Sequence, residues 1–456
     1  VFSPPSLRLQ ALLFGLAVLG LSAIPLFNNL AGDDIGRPNK DYPLWYMTGQ
    51  HFVHGEALYP TESNATFPFM YPPFAAMILG ALSLAGPTIM LALLLMLNAA
   101  SLAVAVELTV RMVAGHSNVP LYMRIVPAGV SIFLINDMFS LGQPNLGLYC
   151  LLVGGLMLVR SGYQTAGGIL FAIAAAAKAF PVVILAYLIY RRAWRASAAM
   201  ILGILALLVI APAPVRGFER NLVELKTWAD GMLFRQNEDG FGQRPQQSTS
   251  WRNQSLSAVA HRYLRPADAE ADSFDPSQAM YVNIVDLGYK NASRIILGLC
   301  AALGIGFILV MPRRGERTRE TDALEIGLLL TLITIGTPYA FSYYFVWLIF
   351  PFTLCVHYAV SAPERADRRI ATATGATSLV LYVAGAPITP VFHSIMALGN
   401  LFWASVALLI GLSTLLVRLR IAQTQAIVLP IGIHTGHMAV PRPKMIGVPT
   451  TTKKAA

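Results

Sequence analysis

The chain has 456 residues, of which 55% are hydrophobic and only 12% charged, with a mean hydropathy of +0.59. Runs of about 20 apolar residues recur along it, which excludes a soluble globular enzyme and reads as an all-α polytopic membrane protein. The formal charge of +10 is scattered in short clusters between apolar runs, a pattern that suits loops facing anionic lipid better than nucleic acid.

In chain order, residues 8–27 form the first apolar run, read as a retained helix in preference to a cleaved signal. Residues 28–66 lean acidic, with Asp33, Asp34, Asp41, Glu56 and Glu62 against Arg37 and Lys40, which places this loop outside. Within it, Asp41, Tyr42, Trp45 and Gln50 to Val53 repeat every three to four residues. That spacing predicts a short amphipathic helix lying at the membrane surface. Residues 67–86 are apolar but broken by Pro68, Pro72, Pro73, Gly80 and Gly86. If this segment crossed, Arg111, Arg124 and Arg160 would face outward. A re-entrant or interfacial segment keeps them inside, and it requires a cavity beside Tyr71-Pro72-Pro73.

The remaining spans read 88–112, 122–141, 144–160, 163–178, a short 180–191, 197–215, 293–311, 322–338, 340–360, 370–387 and 393–417. This makes about twelve spans with both termini cytoplasmic. The transmembrane domain covers 1–420, with outer loops at 28–87 and 216–292, and the tail 421–456 reads as disordered. Cys150, Cys300 and Cys355 lie inside apolar runs and read as packing residues.

On this topology the polar residues of interest converge on the outer face. They are Asp41, Tyr71, Asp137, Gln143, Asn145, Lys178 and the 216–292 loop. Asp41 starts a helix, where a carboxylate can cap, or it can serve as a base. Lys178 lies between two half-length helices, three residues before Pro181. A charge at that depth is costly and points to function, unless the side chain snorkels from a helix end. Asp137 is open between a structural and a functional role. Glu107 and Arg111, four residues apart on the cytoplasmic side, read as a structural pair. In the 216–292 loop, Trp251, Arg252, Asn253 and Gln254 offer stacking and hydrogen-bond groups of the kind that hold sugars and phosphates.

Five motifs follow one another: Asp41 with Gly55 to Tyr59 (GEALY), Tyr71-Pro72-Pro73, Gly142-Gln143-Pro144-Asn145, Lys178 with Pro181, and Asn253-Gln254-Ser255-Leu256. In that order they resemble glycosyltransferase family 87, over most of residues 8–360. The family includes polyprenyl-phosphate-mannose-dependent α-mannosyltransferases of the GT-C fold. The resemblance implies Asp41 as the catalytic aspartate and Lys178 as the family's lysine before a proline. It departs near TPYAFSYYF, where the family often carries a histidine and this chain has Tyr343 and Tyr344.

The function so implied is transfer of a sugar, mannose foremost, from a polyprenyl-phosphate donor to a lipid or glycan hydroxyl. It takes place in the plasma (inner) membrane, on the extracytoplasmic face, with inversion. Phosphate leaves readily, so one base, Asp41, suffices. Lys178 and Arg252 are the candidates to hold the phosphate. Tyr71, Gln143, Asn145, Asn253, Gln254, Tyr343 and Tyr344 are the candidates to line the substrate site. Neither a nucleotide-binding glycine loop nor a carboxylate cluster compelling a metal is seen, and no cofactor is expected. The alternative is a transporter or flippase of a lipid-linked sugar, which would more often show internal repeats.

Overall fold

The computed structural model describes residues 41–60, 67–237, 240–241, 248–271, 279–385 and 391–428, with parts of 6–23. Asp33, Asp34, Glu62 and the tail from 429 onward lie outside the described residues. The architecture is helical, apart from a two-residue antiparallel pair, Gln236–Asn237 with Gly240–Phe241. Among the described residues, five helices are each long and apolar enough to cross a membrane, and six if the bent pair Tyr122–Val130 and Ile132–Leu141 counts as one span. Other segments expected to span are short apolar helices, such as Asn145–Arg160 (16 residues) and Gln164–Ala177 (14 residues). At 1.5 Å per residue, these reach only about 20–25 Å.

Breaks in the backbone explain the shortness. The bent pair turns by 65° at Ser131, four residues after Pro127. Pro181 ends the run after Lys178, because it has no N–H to donate and its ring clashes with the preceding turn. The chain restarts as a 3-10 turn, Phe180–Val183, before the seven-residue helix Ile184–Tyr190. A second 3-10 stretch, Ser342–Leu348, precedes the helix Ile349–Ser361. The last helix, Asn400–Val428, runs past the expected boundary at 420, so residues 421–428 belong to it and not to a tail.

A helix follows Asp41 as expected, Tyr42–His54, with Trp45, Thr48, Gly49 and Phe52 buried on one face. Residues 67–86 form the eleven-residue helix Pro73–Ser83, about 16 Å long and too short to cross a bilayer core of about 30 Å. The two helices pack with backbones nearly touching: a Cβ on Gly49 would lie 2.5 Å from the Leu79 carbonyl oxygen. Among the described residues, the 216–292 loop carries the helices Phe218–Met232 and Leu256–Leu264. Its first part clamps the Tyr42–His54 helix. Arg216 donates to the carbonyls of His51 (3.1 Å) and Glu56 (2.6 Å) while paired with Glu224, and the Trp228 indole donates to Met70 O at 3.0 Å.

The main core is apolar and aromatic. Tyr149, Leu152, Phe171, Leu324, Trp347 and Phe350 are all fully or almost fully buried. Glu107 pairs with Arg111 (2.9 Å) and Arg124 (3.0 Å), in keeping with a structural role.

Candidate active site

Asp41 stands at the start of the Tyr42–His54 helix, yet its side chain makes no capping bond. One carboxylate oxygen instead accepts from the side-chain amide of Gln143. Three bonds seat this first turn on residues 139–142. The Tyr42 hydroxyl donates to Phe139 O (2.6 Å), the Trp45 indole to Gly142 O (3.0 Å), and the Asp41 N–H to Leu141 O (3.3 Å). Burial, then the Asp41 charge beside it, pushes the Tyr42 phenol well above its ordinary range, so it remains a donor. Gly142 ends the helix Ile132–Leu141 with φ at 75°. The left-handed turn suits glycine, and a Cβ there would meet the Tyr42 ring at 2.7 Å.

Lys178 caps the helix Gln164–Ala177 in extended conformation, φ −155° and ψ 113°. It is only 4% exposed. Its ammonium donates to two neutral amide oxygens, Gln143 Oε1 (3.2 Å) and Asn145 Oδ1 (3.0 Å). Aromatic faces complete its surroundings: Tyr344, Tyr71 and Tyr343 have ring centroids 4.4, 4.9 and 5.3 Å from Nζ. Amide dipoles and ring quadrupoles together hold a cation that would otherwise be expensive to bury.

Gln143 is the joint. Its Oε1 accepts from Lys178 and from the Tyr71 hydroxyl (2.8 Å), so its NH2 faces Asp41. One amide therefore links the carboxylate to the ammonium. Tyr71 is stacked on Trp45 with centroids 5.3 Å apart, and the Tyr59 hydroxyl donates to its carbonyl at 2.6 Å.

Asp41, Tyr71, Gln143 and Lys178 line one cavity of about 1460 Å³, together with Asp137, Trp251, Arg252, Tyr343 and Tyr344. This is larger than the roughly 300–1,000 Å³ of ordinary small-molecule pockets. Residues 69–338, more than half the chain, match glycosyltransferase family 87. The protein belongs to glycosyltransferase family 87. No curated protein and no solved structure matches the chain.

Not every residue expected at the site of this family 87 protein reaches the cavity. Asn253 and Gln254 are fully buried and absent from its wall. Asn253 donates to Ser248 O (3.0 Å) and Pro338 O (2.8 Å) and accepts from the N–H groups of Ser255 and Ala340. Gln254 donates to Trp251 O (2.6 Å) and Met396 O (2.7 Å) and accepts from Leu401 N–H. The amides of both are spent on backbone, and they hold the loop that presents Trp251 and Arg252. Asn145 is likewise buried behind the wall and orients Lys178, while its NH2 donates to Tyr343 O at 3.2 Å.

Several supporting residues were not foreseen. Arg262, fully buried, donates to the carbonyls of Ser250 (2.7 Å), Asn253 (2.8 Å) and Ala397 (2.7 Å). Burial pulls its guanidinium down to about 9, which leaves it charged at neutral pH. Trp251 donates to Glu270 (3.0 Å), and Glu270 also holds His393 (2.9 Å), which stacks on the same indole at 4.2 Å. These partners lie far apart in the chain, so no local pattern marks them. Asp137 accepts from Ser342 Oγ at 2.6 Å and faces the cavity. Among the described residues, no three His, Cys, Asp or Glu side chains gather as a metal site.

Proposed function

We propose that this family 87 glycosyltransferase moves a sugar from a polyprenyl-phosphate donor to a hydroxyl of a lipid or glycan acceptor. Mannose is the sugar the family resemblance favours, within a GT-C-type bundle and on the extracytoplasmic face. The observation that carries this reading is the joined set of Asp41, Gln143 and Lys178 in the wall of one cavity. Asp41 takes the acceptor's proton as its oxygen attacks the anomeric carbon. The bond to the donor phosphate breaks, and its electron pair leaves with the phosphate, so one displacement inverts the centre. Lys178 and Arg252 stabilise the charge that develops on the phosphate.

A lipid-borne donor is supported by the cavity's apolar flank, which includes Val183, Leu208 and Leu303. Two helices bordering it, Trp194–Arg216 and Gly288–Val310, have only 11% and 6% of their most apolar stretches buried within the protein. An apolar chain can lie there in the bilayer while its head group reaches Lys178. The test is to supply membranes containing the protein with a panel of radiolabelled polyprenyl-phosphate sugars. Labelled product is expected with one of them, and no product with any donor would defeat the reading.

A further inference from the structure

At the far end of the helices that carry the active site lies a second polar cavity, of about 350 Å³, lined by Arg160, Arg191, Arg192 and Arg317. The 16-residue helix Asn145–Arg160 starts beside Lys178 and ends here, a separation of about 22 Å. Two carboxylates serve three of these four cations. Asp322 takes Arg160 (3.1 Å) and Arg317 (2.7 Å), and Glu325 takes Arg191 and the Tyr187 hydroxyl (2.5 Å). All four arginines line the cavity and neither carboxylate does.

Arg192 is the odd member. Among the described residues, it is the one non-glycine with a positive φ, at 53°. Its backbone N–H donates to Ile189 O (2.9 Å), while no side-chain hydrogen bond or ion pair engages its guanidinium among the described residues. This left-handed residue closes the helix Ile184–Tyr190, with the next N–H, of Ala193, donating to Leu188 O (2.9 Å), and it leaves the Arg192 side chain exposed at the cavity. Beside the arginines, the cavity is apolar, with Leu156, Val159, Leu188 and Ile326.

We infer that this cavity is a second binding site, for a phosphate group engaged by Arg192 and the neighbouring arginines. Planar guanidinium forks match phosphate oxygens in pairs. The phosphate can come from a lipid head group, whose chains would lie along the apolar wall, or from a free phosphate anion. The site does not depend on the transfer reaction proposed above, and its test reads binding alone. A merely lipid-facing basic rim would attract anions diffusely and without saturation.

The experiment titrates the detergent-solubilised full chain by calorimetry with inorganic phosphate, with phosphatidic acid in mixed micelles, and with diacylglycerol as the phosphate-free control. Wild type is expected to bind at least one phosphate probe saturably at a site that survives Lys178→Ala, and to ignore diacylglycerol. Saturable binding of phosphatidic acid alone identifies a lipid head group, whereas saturable binding of phosphate itself shows that the free anion suffices. Arg192→Gly accepts the left-handed φ without strain, so it should melt no lower than wild type yet bind at least tenfold more weakly. Arg192→Gln keeps the backbone demand and removes only the charge, and the same loss is expected. The inference is overturned by non-saturable binding of both phosphate probes to wild type, or by unchanged affinity in Arg192→Gln.

Discussion

Asp41→Asn separates two roles open to a carboxylate at a helix start. The side chain makes no capping bond and accepts from Gln143 instead. An asparagine oxygen can still accept that bond, so the fold and donor binding are expected to survive. It cannot take a proton, and transfer should fall about a hundredfold or more, measured as the rate of labelled product at saturating donor. Amide substitutions at Asp33, Asp34 and Glu56 serve as controls. Loss of transfer in one of those, with Asp41→Asn active, would move the base there. Activity in all four would return the transporter reading. Lys178→Ala removes the cation and leaves Gln143 Oε1 with Tyr71 alone. It is expected to cost about 2–4 kcal/mol of transition-state stabilisation, by analogy with oxyanion donors. The readout is kcat/KM for the donor, and near-normal turnover at low donor would remove Lys178 from phosphate binding.

The Tyr42–His54 helix depends on its partner helix more than on its own sequence. In an isolated helix, Gly49→Ala would be favoured by up to about 1 kcal/mol. In the packed pair, the new Cβ would meet the Leu79 carbonyl oxygen at 2.5 Å, a backbone atom with little room to move. The expected outcome therefore has the opposite sign: destabilisation by about 1–3 kcal/mol, the usual cost of overpacking, seen as a lower melting temperature. Transfer should fall as well, because Asp41 opens this helix and Trp45 lies on its buried face. A melting temperature at or above wild type would show that the pair is looser than its geometry. The amphipathic spacing of Trp45, Gly49 and Phe52 was legible in the sequence. The register that sets Gly49 against Leu79 was not, because it is chosen by two helices packing and not by one.

At the scale of the whole molecule, arginine clusters and the cavity lie at opposite ends of the bundle. Arg160, Arg191 and Arg317 gather at one end, and Asp41, Lys178 and Arg252 meet at the other. On the proposed topology, the positive-inside rule puts the arginine end on the cytoplasmic side. In a cysteine-free background, an impermeant thiol reagent on intact cells is expected to label a cysteine at exposed Tyr281 and to spare one at exposed Arg313. The reverse pattern would invert the protein in the membrane and place the cavity inside.

Apolar run length and proline positions determined, from the sequence alone, that the chain is a helical membrane protein, that a helix follows Asp41 and that the chain breaks at Lys178. They did so because hydrophobic burial and the missing proline N–H act over one or two turns. The order of the motifs also carried the family. Only the tertiary structure decided which polar residues face the cavity. Asn253 and Gln254 looked as available as Arg252, and the fold spends their amides on backbone carbonyls and N–H groups. Gln143 reaches Asp41 across 102 residues and Lys178 across 35. Such a bond depends on how helices cross, and on buried amides finding partners wherever the packing leaves them, neither of which local spacing encodes.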